Sequence, residues 1–262
     1  MTRDFLLALD LGNTNLVLGF FRGDELVRSF RFHTDRNRTA DEYGVMLKSL
    51  ILHEGFQMSA LQGVAISNVV PALAPVLSEV CTRHLSIEPF FISADVRLDI
   101  RILIDNPHHL GVDLIVAAEE AYARFGGPLV VVDTGTATTI SAIDAGGGFL
   151  GTTIGPGLAV SADALYQRAP HLPRIVFERP PRPWGTNTTH ALQAGILLGH
   201  AAMVDGLVAE FKRELGENAR VVATGGLAET LVSACRQIDE VVPEMMLEGI
   251  RRIYRRNMSP LG

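Results

Sequence analysis

Asp10-Leu11-Gly12-Asn13-Thr14-Asn15 is a polar turn between two apolar segments, Phe5–Leu9 and Leu16–Phe21. Apolar segments of this length predict strands, so the turn would join the strands of one hairpin. Its glycine lets the backbone approach a ligand, its amide and hydroxyl side chains can donate to phosphate oxygens, and Asp10 can hold a hydrated Mg²⁺. An ordinary turn that satisfies its own backbone is the alternative for an isolated match.

The same pattern occurs a second time, in the stretch Leu129–Ile140. There Asp133 follows an apolar segment, and the alignment pairs Asp10 with Asp133, Gly12 with Gly135 and Asn13 with Thr136. A duplication with a phosphate loop at the head of each half predicts two lobes, residues 1–114 and 115–262, with a nucleotide in a central cleft.

Composition limits the class of protein. The chain has 262 residues, of which 47% are hydrophobic, and a net charge of −6, so two lobes with apolar cores are possible. The acidic balance argues against nucleic acid or anionic membrane as a partner. We interpret the basic cluster Arg251-Arg252 and Arg255-Arg256 as a solvated face near a helix C-terminus.

Cysteine content and hydropathy predict the compartment. Cys81 and Cys235 are too few for a disulfide framework or a zinc site, which favours a reducing environment. No secretory pattern opens the chain, and we expect that no apolar run approaches the length of a membrane span. We therefore expect a cytoplasmic protein that binds no membrane.

The first half continues in an order that predicts its fold. A helix is expected after Thr39, a plausible N-cap, followed by the strand Gly63–Ser67, a helix from Pro71 and the strand Glu88–Ile92. The order βββ-α-β-α-β resembles one ribonuclease-H-like half of the actin, Hsp70 and sugar-kinase superfamily. The expected fold class is therefore α/β, with two ribonuclease-H-like lobes.

The second half offers further features, each with an ordinary alternative. Asp113 lies near the start of the helix Ile115–Phe125 and could either face a cleft or cap the helix. In the long helix Asn187–Leu215, the small residues Ala191, Gly195, Gly199 and Ala202 form a stripe that suits core packing or a dimer seam. The turn Gly225-Gly226 is placed to approach a nucleotide or to join a strand to a helix.

Other enzyme classes lack their motifs. The chain has no Gly-x₄-Gly-Lys-Ser/Thr loop, and its two lysines, Lys48 and Lys212, are not near a glycine loop. No dinucleotide fingerprint follows the opening strand, and neither a nucleophile elbow nor a His-Glu-x-x-His helix is present. The adjacent pair His108-His109 does not share a face, which disfavours a metal site there.

Taken in order, these motifs resemble the type III pantothenate kinases, also known as the Bvg accessory factor family. The likeness covers nearly the whole chain, and its carriers are Asp10–Asn15, Thr39–Tyr43, Asp105-Asn106-Pro107, Gly111-Val112-Asp113, Asp133–Thr139, Pro156-Gly157-Leu158, Gly185–Thr188 and Thr224-Gly225-Gly226. The resemblance implies ATP-dependent phosphorylation of pantothenate to 4'-phosphopantothenate, the first step of coenzyme A biosynthesis.

The resemblance also implies roles for single residues. The ATP phosphate loop would comprise Asp10, Leu11, Gly12, Asn13, Thr14, Asn15, Leu16 and Val17, with Thr136 as a second phosphate contact and Asp10 near Mg²⁺. Asp113 would be the general base, and pantothenate would contact Gly111, Val112, Asp113 and Thr188. Asp133 would bind a monovalent cation, K⁺ or NH₄⁺. In this family the active unit is a homodimer, in which Thr188 can serve the neighbour's site.

Two positions depart from the family pattern. The family usually has Arg where this chain has Leu114, and Tyr where it has Ile104. Loss of a charge-assisted hydrogen bond would weaken pantothenate binding by roughly 10- to 150-fold. A nucleotide-binding regulator or degenerate member without kinase activity is therefore the alternative, and a kinase for a less anionic acceptor is a third possibility.

Overall fold

The computed structural model describes residues 5–259. Its strands are Phe5–Leu11 (β1), Asn15–Arg22 (β2), Glu25–His33 (β3), Leu61–Asn68 (β4), Pro89–Phe91 (β5), Arg101–Ile102 (β6), Leu129–Thr134 (β7), Ala137–Ile143 (β8), Gly148–Pro156 (β9), Arg220–Thr224 (β10) and Glu240–Val241 (β11). Its helices are Ala40–His53 (α1), Ala74–Glu79 (α2), Val112–Phe125 (α3), Leu158–Arg168 (α4), Thr188–Gln193 (α5), Gly199–Leu215 (α6), Ala228–Val232 (α7) and Met245–Met258 (α8).

The chain divides into two compact units that are each discontinuous in sequence. Unit 1 contains the residues up to Leu98, together with Asn106–Glu120 and the residues from Met246 onward. Unit 2 contains Asp99–Asp105 and Ala121–Met245. This contact-based division differs from the division into residues 1–114 and 115–262, which stays a prediction about the two halves of the repeat.

Unit 1 is built on a five-stranded sheet in the order β3-β2-β1-β4-β5. The side chains of β1 alternate between two cores, as a strand buried on both faces requires. Leu7 and Leu9 pack with α1 and α2 on one face, whereas Leu6 and Ala8 pack with α3 and α8 on the other. The apolar segment that the sequence predicts as the first strand is therefore the centre of this unit.

Helix α1 begins where its sequence predicts. The Thr39 side chain accepts from the Glu42 N–H at 3.3 Å, and Glu42 Oε2 accepts from the Thr39 N–H at 2.7 Å. This reciprocal capping box satisfies two donors that the first turn leaves without helical partners.

Unit 2 repeats the topology of unit 1. Its six strands lie in the order β11-β10-β7-β8-β9-β6. As β1 pairs antiparallel with β2 and parallel with β4, so β7 pairs antiparallel with β8 and parallel with β10. The run β9-β8-β7-β10-β11 thus matches β3-β2-β1-β4-β5, and β6 is added at one edge. The topology confirms the duplicated fold.

The longest helical run is Thr188–Leu215, in which a π-helical turn, Ala194–Leu198, joins α5 to α6. Its most apolar window has a mean hydropathy of 1.4, so by length and composition alone it could span a membrane. The helix itself was predicted, but the expectation that no apolar run approaches the length of a membrane span was wrong. Ala201, Val204 and Val208 are buried in the unit 2 core, and a core helix passes the same test.

The basic cluster on α8 is not a solvated face, contrary to the sequence interpretation. Arg252 Nε lies 2.7 Å from Glu120 Oε2, and Arg256 Nε lies 3.8 Å from Glu119 Oε1. Both carboxylates are buried on α3, and burying a charge requires such a partner. The remaining two arginines pair with Asp24, which the turn after β2 supplies.

Candidate functional site

The predicted phosphate loop of unit 1 is the turn between β1 and β2. The Gly12 N–H donates to the Asn15 carbonyl at 2.9 Å, which closes the turn. Thr34, the residue after β3, holds two loop carbonyls: its hydroxyl donates to Gly12 O at 2.7 Å and its N–H donates to Thr14 O at 2.9 Å. The loop is therefore fixed by groups outside it, as a preorganised ligand loop should be.

A cation lies beside this loop that the sequence analysis missed. Arg36 NH2 donates to Asn13 Oδ1 at 2.8 Å, and the Arg36 side chain is exposed. The hairpin register places His33 opposite Asn15, so the residues that follow β3 return to the loop. An arginine three residues after the third strand was the feature of the sequence that could have indicated it.

Asp10 is the next-to-last residue of β1 and is partly buried. It pairs with Val17 on β2 and with Ser67 on β4, so these three side chains share one face of the sheet. The described residues 5–259 contain no group of three or more His, Cys, Asp or Glu side chains that could hold a metal ion. Mg²⁺ in phosphate sites needs only one or two carboxylates with phosphate oxygens and waters, so this donor set fits it.

The second loop, in unit 2, joins β7 to β8 in the same way. The Gly135 N–H donates to the Ala137 carbonyl at 2.9 Å, and the Gly157 N–H donates to Thr136 O at 3.0 Å. A Cβ at Gly157 would lie 2.3 Å from Gly135 O. Gly157, the residue after β9, is thus explained by close approach of another backbone segment.

Asp133 occupies in unit 2 the position that Asp10 has in unit 1. Gly225, with φ +100°, lies against it, because a Cβ at this position would be 2.5 Å from Asp133 Oδ1. Thr139 pairs with Asp133 across the β7–β8 ladder, and within the described chain the buried Thr139 Oγ1 has no hydrogen-bond partner. Two oxygen-bearing side chains on one face fit a monovalent cation. Thr139 belongs to the sequence motif Asp133–Thr139, but no role was predicted for it.

Asp113 lies in the first turn of α3, and its unit also contains the first phosphate loop. Its Oδ1 accepts from the Leu114 N–H at 2.9 Å, and a Cβ at Gly111 would lie 2.5 Å from the same oxygen. Burial raises the pKa of the Asp113 carboxyl above its ordinary value, while the Leu114 N–H opposes this rise. A carboxyl with a raised pKa is suited to take a proton from an alcohol.

The predicted acceptor residues are divided between the two units. Gly111, Val112 and Asp113 are in unit 1, whereas Thr188 begins α5 in unit 2 and is exposed. The turn before Thr188 explains the motif Gly185–Thr188: a Cβ at Gly185 would lie 2.0 Å from Ala191 N, and Asn187 Oδ1 caps α5 by accepting from the His190 N–H at 2.9 Å. Leu114, at the family's arginine position, is buried with 7% of its surface exposed.

Comparison with known proteins indicates the same family as the sequence motifs do. A family model described as type III pantothenate kinase matches residues 6–210. A type III pantothenate kinase of Moorella thermoacetica is 45% identical over 96% of this chain and 99% of its own length.

Solved structures show the fold. A Baf family protein of Campylobacter jejuni superposes with a TM-score of 0.59 at 20% identity, over 96% of this chain and 98% of that one. An inorganic polyphosphate/ATP-glucomannokinase of an Arthrobacter species superposes with a TM-score of 0.51 at 14% identity, over 97% of this chain and 99% of that one. The fold is that of the actin, Hsp70 and sugar-kinase superfamily, and the chain belongs to the type III pantothenate kinase family.

Proposed function

We propose that this protein transfers the γ-phosphoryl group of ATP to the terminal hydroxyl of pantothenate and forms 4'-phosphopantothenate, which begins coenzyme A biosynthesis. The observation that carries the proposal is the environment of Asp113. In a chain of this family, a carboxylate with a raised pKa is held by a backbone N–H at a helix N-terminus. That is the general base which an alcohol acceptor requires.

The triphosphate is held by the two loops in this proposal. Residues Asp10 to Val17 cradle the phosphates, and Thr136 supplies a second contact. Phosphoryl transfer depends mainly on positioning and on neutralising charge, so fixed loops contribute more than covalent chemistry. Mg²⁺, when bound, supplies charge neutralisation at the phosphates.

Asp113 takes the proton of the acceptor hydroxyl as the oxygen attacks. Its carboxyl must be ionised to do so, and its raised pKa makes it a stronger base than an ordinary carboxylate. Gly111, Val112 and Thr188 are the other proposed contacts of pantothenate.

Asp133 is the proposed ligand of K⁺ or NH₄⁺, with Thr139 Oγ1 as a second oxygen on the same face. We also place the protein in the cytoplasm, where pantothenate and ATP are both available.

The proposed active unit is a homodimer that uses the helical run Thr188–Leu215. A Cβ at Gly195 or Gly199 would meet no atom from elsewhere in the described chain within 4 Å. The small-residue stripe therefore does not serve packing within this unit, which supports the dimer seam over the core contact.

One experiment tests the activity and the cation together. Coupled ADP release is measured with and without pantothenate, first in K⁺ and then in Na⁺. We expect release that requires pantothenate and falls when Na⁺ replaces K⁺. An Asp113→Asn protein with full turnover would exclude this mechanism. Equal rates in K⁺ and in Na⁺ would exclude a specific requirement for K⁺.

Leu114 favours a second candidate, a nucleotide-binding regulator that lacks productive acceptor binding. A buried leucine cannot pair with the pantothenate carboxylate as the family's arginine would. ATP binding by calorimetry with no transfer to saturating pantothenate would support this candidate. Transfer to pantothenate amides alone would instead identify a kinase for a less anionic acceptor.

A further inference from the structure

Ser67, at the carboxyl end of β4, carries a buried hydroxyl that is not satisfied. The residue is 0% exposed, and Ser67 Oγ has no hydrogen-bond partner within residues 5–259. A buried polar group without a partner is destabilising, and such groups are rare in folded proteins. The side chain therefore needs an explanation beyond packing.

The position of Ser67 supplies one. In the β1–β4 ladder Ser67 is the direct partner of Asp10, so both side chains leave the same face of the sheet. Adjacent strands lie about 4.8 Å apart, so the two short side chains are direct neighbours on that face. The orphaned hydroxyl thus lies next to the carboxylate proposed to face the Mg²⁺ of ATP.

Unit 2 provides an internal control for this feature. Thr224 pairs with Asp133 across the β7–β10 ladder, as Ser67 pairs with Asp10. The Thr224 hydroxyl is satisfied, because it donates to the Val242 carbonyl at 2.8 Å. The hydroxyl beside the first aspartate is left without a partner although the same fold satisfies the hydroxyl beside the second.

We propose that Ser67 is a positioning residue for Mg-ATP: its Oγ accepts a hydrogen bond from a metal-bound water that Asp10 also orients. This inference rests on the proposed function. Mg²⁺ usually keeps several of its waters in phosphate sites, and each bound water needs acceptors around it. Ser67 offers such an acceptor, already dehydrated and on the same face as the carboxylate.

The test is Ser67→Ala, which removes the hydroxyl and little else. ATP affinity is measured by calorimetry with Mg²⁺ and with EDTA, and thermal unfolding is measured without ligand. We expect the Mg²⁺-dependent gain in ATP affinity to fall at least about tenfold, the lower end of the range for one hydrogen bond to a charged group. The melting temperature of the free protein should stay the same or rise, because an unsatisfied group is removed.

Ser141→Ala is the matched control. Ser141 is also buried, but its hydroxyl is satisfied by Thr152 Oγ1 at 3.1 Å. Its loss should lower the melting temperature and leave the Mg²⁺-dependent affinity unchanged.

Three outcomes would overturn the inference. If the Mg²⁺-dependent gain in ATP affinity is the same in Ser67→Ala as in the wild type, the inference is wrong while the kinase proposal stands. An equal loss with Mg²⁺ and with EDTA identifies a direct phosphate contact instead. If the wild-type protein does not bind Mg-ATP, the proposed function fails together with the inference.

Discussion

The carboxylate of Asp113 lies so close to Gly111 that a side chain at position 111 would force the carboxylate to move. A Cβ at Gly111 would lie 2.5 Å from Asp113 Oδ1. Glycine at this position therefore permits the conformation in which the Leu114 N–H donates to Oδ1. The geometry of the proposed base depends on its neighbour two residues earlier.

Gly111→Ala should therefore impair catalysis through Asp113. The new methyl group forces the carboxylate to rotate, and a misplaced catalytic group lowers kcat by about 10²-fold. We expect a lower kcat with the KM for ATP unchanged, measured by steady-state ADP release. Gly151→Ala is the control, since a Cβ there meets nothing within 4 Å. A normal kcat for Gly111→Ala would contradict the assigned geometry.

Asp113→Asn should separate activity from stability. Turnover should fall by about 10²–10⁴-fold, because the amide cannot accept the proton. The free energy of unfolding of the variant should instead rise above that of the wild type at pH values above the ordinary carboxyl pKa. The carboxyl pKa is raised in the folded state, so the native protein binds more protons than the unfolded chain between the ordinary and the raised pKa.

Wild-type stability should therefore decline as pH rises through that window, and the variant should lack this decline. Urea unfolding of both proteins at a series of pH values measures the difference. A variant that is less stable than the wild type above the window would show that burial does not dominate at Asp113.

Arg36→Gln should weaken ATP binding. Its guanidinium is held beside the first phosphate loop by Asn13, where it can meet an anionic ligand. Because the side chain is exposed, we expect a modest loss of about three- to tenfold in affinity, and the loss should shrink at high salt. Calorimetry at low and at high salt measures the loss of ATP affinity and its dependence on salt. Arg213→Gln, at an exposed arginine paired with Glu210, should have no effect.

The features that were predicted correctly from the sequence are those that belong to its internal repeat. Two copies of one hairpin revealed both loops and the aspartates near the ends of β1 and β7, because local pattern determines local structure. Roles for Ser67, Thr139 and Arg36 were not predicted. Their positions beside the two loops depend on which strands pair and on where the chain runs after β3, and neither can be read from a local pattern. The α8 arginines were misinterpreted for the same reason: their carboxylate partners come from elements distant in sequence, which a charge pattern cannot reveal.

Leu114→Arg should restore the family pattern and strengthen acceptor binding. If a pantothenate carboxylate lies near this position, the KM for pantothenate should fall about tenfold or more, with the KM for ATP unchanged. The wild-type leucine is buried, so the melting temperature should fall as apolar contacts are lost. Leu114→Met is the control for the packing change and should leave both KM values unchanged. An unaltered KM for pantothenate would favour the regulator or a less anionic acceptor.

Gly199→Leu should disrupt the proposed dimer without unfolding the protomer. Glycine is less favourable in a helix than alanine by about 0.8–1.0 kcal/mol, and leucine ranks close to alanine. Because a Cβ at this position meets nothing within 4 Å, the protomer should be equally or more stable. A bulky side chain on a seam of small residues keeps two helices apart. Sedimentation should then show a wild-type dimer and a monomeric variant. Glu214→Leu, near the end of the same helix, is the control and should remain dimeric. A dimeric Gly199→Leu protein would exclude this stripe as the seam.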